Sequence, residues 1–210
     1  MLVVYDTETC GIPDFRAPSD APTQPHLVQL AMATFEDDGT EVGHYCVLVK
    51  PDGWTIPADV VAVHGITTER ATAEGVPEAD AARAYADAIR EASLRVAHNE
   101  RFDRRIMRIA MLRSGMTREQ IELLEARPAF DTCAVASPIV NLPPTDKMVA
   151  AGFTKPKPPK LAEAIKFFFD EELVGGHDAL VDVRACARIY FHLAALEKAR
   201  TEAAARSAAA

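Results

Sequence analysis

The sequence predicts an α/β domain, on three observations. A short, continuous apolar run opens the chain (Leu2, Val3, Val4, Tyr5), as in a central strand buried on both faces. Two further strand-like runs are joined by Asp37-Asp38-Gly39-Thr40, whose Asp-Gly pair is a hairpin signal. Beyond them, helical periodicity alternates with short strand candidates, and no internal repeat is present.

The first strand is predicted over residues 1–6, followed by a Pro-rich loop from Gly11 to Pro25. The runs His26–Phe35 and Val42–Lys50 complete a three-stranded meander. Residues 57–75 hold a short helix candidate and the loop Val63-His64-Gly65-Ile66-Thr67. Pro77 suits a first helical position and opens an Ala-rich helix to about Ser93. Leu94–Ala97 is the fourth strand candidate. Helices are expected over Glu100–Ser114 and Thr117–Ala126, the second with Thr117 as N-cap and Gln120 in capping-box position. A fifth strand around Ala129–Phe130 leads into another helix. Residues 141–160, rich in Pro and Lys, are expected to be irregular. Helices resume at Leu161–Phe169 and at about Asp178–Lys198, and an Ala-rich tail follows at 199–210.

Hydrophobic residues at 49% and charged residues at 26% fit a soluble globular protein, and 210 residues can bury a substantial core. No apolar run approaches the roughly 18 residues of a membrane span, and MLVVYDTETC lacks the pattern of a signal peptide. The scattered Cys10, Cys46, Cys133 and Cys186 form no zinc pattern, so a reduced, cytoplasmic setting without a membrane partner is expected. A net charge of −8 argues against wrapping long duplex nucleic acid. It favours a ligand held at one end.

Acidic residues stand where apolar ones belong. Asp6 and Glu8 share the strand face of Leu2 and Val4. Asp103 aligns with Met107 and Ala110, and Asp182 falls in the stripe Ala179, Cys186, Ile189, Leu193. Each has a plain alternative: a strand ending at Tyr5, an acid on a helix dipole, an exposed helix end. Together the alternatives fare badly, because converging carboxylates repel unless hard cations neutralise them. Two such ions about 4 Å apart are a device for in-line attack on phosphodiesters.

The local sequences resemble the DnaQ-like exonucleases of the DEDDh class, which include the proofreading epsilon subunit of bacterial DNA polymerase III and phage relatives. The motifs are Asp6-Thr7-Glu8-Thr9, His98-Asn99-Glu100-Arg101-Phe102-Asp103 and His177-Asp178-Ala179-Leu180-Val181-Asp182, in order, within a match from residue 2 to about 195. Val63-His64-Gly65-Ile66-Thr67 resembles the loop that holds the 3′-terminal nucleotide, and Asp131-Thr132 matches a family pair. The resemblance implies an RNase H-like fold: a central five-stranded mixed sheet, strand 1 in the middle, helices on both sides. It assigns residues 1–198 to the exonuclease domain.

By the same resemblance, two divalent ions (Mg²⁺ or Mn²⁺) are held by Asp6, Glu8, Asp103 and Asp182, with Asp103 acting largely through metal-bound water. His177 is the implied general base. Gly175-Gly176 and an N-cap at Asp178 place it on a loop from which it can swing over the metals, and imidazole chemistry suits the task. The sister class has a tyrosine four residues before the last acid; Asp178 stands there, so the histidine class is the one matched. Thr7, Thr9, His64, Gly65 and Ile66 carry over as substrate contacts, Phe102 is the motif's candidate for stacking on a base with core packing as its alternative, and His98 is expected to fix the strand-to-helix turn. Arg101, Arg104, Arg105, Arg108 and Arg113, and the Lys155–Lys160 segment, are basic patches that either contact phosphates or are simply solvated. The expected activity is 3′→5′ removal of nucleotides from single-stranded DNA ends, with proofreading beside a DNA polymerase as one setting. RNA is the alternative substrate, and a catalytically silent nucleic-acid-binding or polymerase-docking module the alternative of another class.

Overall fold

The computed structural model describes residues 1–208; the last two residues of the Ala-rich tail lie outside them. Among the described residues, five strands form one mixed sheet in the order β3-β2-β1-β4-β5: β1 (Leu2–Thr9), β2 (Leu27–Phe35), β3 (Glu41–Leu48), β4 (Leu94–Ala97) and β5 (Ala129–Asp131). β1 sits in the middle, antiparallel to β2 and parallel to β4, as the RNase H-like topology requires. The helices are α1 (Ala58–His64), α2 (Thr68–Glu74), α3 (Glu78–Glu91), α4 (Glu100–Arg113), α5 (Arg118–Glu125), α6 (Thr132–Val140), α7 (Asp146–Ala150), α8 (Leu161–Phe169) and α9 (Ala179–Ala208).

The pleat of β1 sorts the core. Val3 and Tyr5 pack against Tyr85 and Ile89 of α3 and Ile106 and Met107 of α4. Leu2 and Val4 face the other way, onto Ala179, Val183 and Cys186 of α9. A third cluster joins α6, α8 and α9, and a fourth seats the α1–α2 pair on Val28 and Leu48.

Several expectations are met to the residue, including β4, α8 and the capping box of Thr117 and Gln120 on α5. Others need correction. β1 does not stop at residue 6: its pairing with β2 carries Asp6 and Glu8 within the strand, up to an irregularity between Glu8 and Thr9. The candidate helix in 57–75 is two helices, split where Gly65 takes φ +72°. The segment 141–160 is not wholly irregular. Thr145 caps the short α7 by accepting from the Met148 N–H, and Leu142 bridges Lys157 beyond it. α9 continues well into the Ala-rich tail. None of the described helices is long and apolar enough to cross a membrane.

Candidate active site

The site forms where the C-terminal ends of β1 and β4 lie side by side. β4 ends at Ala97, and His98-Asn99 turns the chain so sharply that α4 begins at Glu100. Asn99 holds φ +69°, a conformation asparagine tolerates better than most residues. Its N–H donates to Asp131 Oδ1 at 3.0 Å, and the same oxygen caps α6 through the N–H groups of Cys133 and Ala134. His98 engages Thr132 Oγ1 at 2.9 Å and the Pro159 carbonyl at 2.9 Å, taking the structural place expected of it. The Asp131-Thr132 pair therefore braces the turn that delivers Asp103.

Asp103 arrives in the first turn of α4, 3% exposed, and meets β1. Its Oδ1 accepts from the Thr7 N–H at 3.0 Å and the Thr7 hydroxyl at 2.8 Å. Asp182 comes from the opposite face of the sheet, in the first turn of α9, and is 9% exposed. Its Oδ2 accepts from the His177 N–H at 3.0 Å, while Oδ1 is buried with no partner. Asp178 caps α9 through the Leu180 N–H at 3.0 Å, so His177 stands on the loop outside the helix, with φ +70°. Ligand atoms of Glu8, His177 and Asp182 lie within 4.8 Å of one another.

None of Asp6, Glu8, Asp103 and Asp182 has a Lys or Arg within salt-bridge distance among the described residues. Burial, then the charges of Asp103 and Asp182, pushes Asp6 well above the usual carboxylate range. Glu8 is pushed up to about 8 by burial and then by Asp6 and Asp182. Burial raises Asp103 to about 8 against the opposing bonds from Thr7. Asp182 is raised by burial, with the His177 N–H pulling the other way. An orphaned, buried carboxylate oxygen amid four such acids fits divalent cations bound through oxygen.

The substrate-contact candidates divide. His64 ends α1; its Nδ1 accepts from the Ile66 N–H at 3.0 Å, and Nε2 is buried toward the Thr9 main chain without completing a hydrogen bond. Burial, and then the neighbouring His177, holds this imidazole below its ordinary value. Ile66 is 2% exposed, so what it offers a ligand is main chain. Thr7 is spent on Asp103, Thr9 donates to the Gly11 carbonyl at 2.6 Å, and Phe102 packs on the core.

Sequence reasoning passed over three supporting residues. Gln29, 7% exposed in β2, accepts from the Ala179 N–H at 3.3 Å and so seats the start of α9. Arg95 in β4 is 3% exposed and donates to Glu100 at 2.9 Å, and Tyr5 donates to the same oxygen at 3.2 Å. The available signal was a long polar side chain inside each of two apolar strands, Gln29 in β2 and Arg95 in β4.

A family model, RNase_T, described as exonuclease, matches residues 3–190. No curated protein sequence matches the chain. Among solved structures, the fold is similar to E. coli exonuclease I in complex with a dT13 oligonucleotide, with a TM-score of 0.70 and 20% identity over 91% of this chain and 40% of that one. The complex with a dA16 oligonucleotide gives 0.68 and 20%, over 90% and 40%. The zinc-ion-bound form of the E. coli ExoI–ssDNA complex gives 0.69 and 19%, over 90% and 39%. This chain thus spans about two-fifths of the length of those chains.

Proposed function

The chain belongs to the exonuclease family, and from that premise we propose that it removes nucleotides from the 3′ end of single-stranded DNA by hydrolysis with two divalent ions, Mg²⁺ or Mn²⁺. One observation carries this: two buried carboxylates, Asp103 and Asp182, and two half-buried ones, Asp6 and Glu8, converge from β1, α4 and α9 with no Lys or Arg at salt-bridge distance among the described residues. Such an arrangement costs folding free energy and returns it only when cations are bound. The oligodeoxynucleotides bound by the E. coli exonuclease I structures support DNA as the substrate.

In this reading Asp6, Glu8 and Asp182 would hold one ion and Asp6 would contribute to the second, with Asp103 supporting from α4. Ions bound there supply the positive charge that an in-line displacement at phosphorus needs. His177 takes a proton from the attacking water on a ring nitrogen as the water oxygen bonds to phosphorus. The bond from phosphorus to the 3′ oxygen of the preceding nucleotide breaks, and that oxygen takes a proton from solvent to become the new 3′-hydroxyl. The α1–α2 loop, with His64 and Gly65, receives the terminal nucleotide. Proofreading beside a DNA polymerase is one setting for the activity.

The test is a digest of 5′-labelled single-stranded DNA and the matching RNA with Mg²⁺ or Mn²⁺. A ladder shortening from the 3′ end is expected, faster on DNA. Asp182→Ala should abolish it, and His177→Ala should slow it by about 10²–10⁴-fold. No shortening of either strand under either metal would overturn the proposal in favour of a binding module.

A further inference from the structure

The loop at residues 11–25 folds over the outer face of α4, and together with α5 they line an open cavity of about 370 Å³. Five arginines line it: Arg101, Arg104, Arg105, Arg108 and Arg118. In a chain of net charge −8 this concentration of positive charge is an exception.

The loop does not use up these charges. Arg108 is paired with Glu125, Arg118 with Asp20, and Arg104 approaches Glu100 at 3.6 Å. Arg105 donates only to main-chain carbonyls of the loop, Asp14 and Ala17, and its Nε is buried without a partner. Arg101 has no carboxylate partner among the described residues; its guanidinium lies over the Phe15 ring, 4.7 Å from the centroid, with Arg105 at 5.9 Å from the same ring. Two full positive charges therefore face the cavity uncompensated, held over an aromatic plate. Arginine so placed binds phosphate oxygens well.

We propose that this cavity seats a backbone phosphate of the substrate strand, several nucleotides from the 3′ end being hydrolysed. The proposal rests on the exonuclease reading above. Its geometry follows from α4: Asp103 points to the strand ends, whereas Arg101, Arg104, Arg105 and Arg108 lie round the other side of the same helix. The strand passes over the start of α4, alongside the loop that runs from Thr9 to Phe15. Crossing a helix about 10 Å wide, at no less than about 3.4 Å per phosphate, takes at most about three nucleotides. The single phosphate of a dinucleotide is the one hydrolysed, so it has none to place in the cavity, whereas a dodecamer has.

The test compares kcat/KM for dT2 and dT12 in the wild type, Arg101→Gln and Arg101→Glu. Arg101 makes no hydrogen bond through its side chain among the described residues, and circular dichroism checks that both variants fold. The expected result is that the advantage of dT12 over dT2 falls by about tenfold in Arg101→Glu, and by less in Arg101→Gln. The slope of log(kcat/KM) for dT12 against log salt should shrink by about 0.7 for each phosphate no longer neutralised. An unchanged dT12 advantage in both variants overturns the cavity while leaving the exonuclease reading intact. No hydrolysis of either substrate by the wild type removes both. If inorganic phosphate or thymidine monophosphate abolishes the dT12 advantage at submillimolar concentration in the wild type only, the cavity is a site for free anions and the strand proposal is overturned.

Discussion

Glu100 and Asp103 are both buried acids of the first turn of α4, three residues apart, and the fold treats them in opposite ways. Glu100 is 7% exposed and fully engaged: Arg95 donates to it at 2.9 Å, Tyr5 at 3.2 Å, and Arg104 stands at 3.6 Å. Asp103 is 3% exposed and receives only the two bonds from Thr7, both to one oxygen. A buried charge with its counter-charge holds elements together, here β1, β4 and α4. A buried charge without one keeps electrostatic free energy available for something else to neutralise. The difference separates scaffold from site within a single helical turn.

The largest way to break this comparison is Arg95→Ala. It strands Glu100 and should cost about 3–5 kcal/mol in urea denaturation, whereas Asp103→Asn should leave the metal-free protein as stable or more so. Equal losses in the two variants would erase the distinction. The next effect is in pH. Glu8 and Asp103 both sit at about 8 in the folded chain, above their ordinary 4.5 and 3.8. Between those limits the folded state binds more protons than the unfolded one. Their contribution is thus fully present at low pH and lost as pH rises through about 8. In EDTA, thermal stability should fall from pH 5 to pH 9, less steeply in Asp103→Asn and less steeply again with saturating Mg²⁺. Stability that climbs over this range in EDTA would contradict the assignment. The smallest effect is expected for Thr7→Val, which removes one of the two bonds to Asp103 and should lower activity about tenfold or less. No change in activity would mean that the Thr7 N–H alone positions the carboxylate.

Much of this was legible in the sequence, for a physical reason: an acid in an apolar stripe is costly, and three such acids near element ends are hard to explain without cations. Asp6, Asp103 and Asp182 are singled out that way as candidates, whereas His177 enters through the family resemblance. The partners that make the scaffold were not legible. Arg95 and Glu100 are five residues apart across a strand-to-helix turn, and Tyr5 meets Glu100 from 95 residues away. The Pro-rich loop had no visible role because most of its anchors to α4 are carbonyls. Arg105 takes those of Asp14 and Ala17, and Arg113 those of Gln24 and Pro25. Any sequence supplies carbonyls, so nothing marks them. The same holds for α7, a single capped turn inside a Pro- and Lys-rich stretch.

The bond from the His177 N–H to Asp182 has a mechanical consequence. It pins the backbone of His177 to Asp182, so with the bond intact the imidazole reaches different targets only by turning about χ1 and χ2. If the loop lifts, that bond breaks and Asp182 loses the one hydrogen-bond donor that its side chain has among the described residues. In the proposed mechanism the proton acceptor and the cation ligand are therefore latched together, and an opening that withdraws one loosens the other.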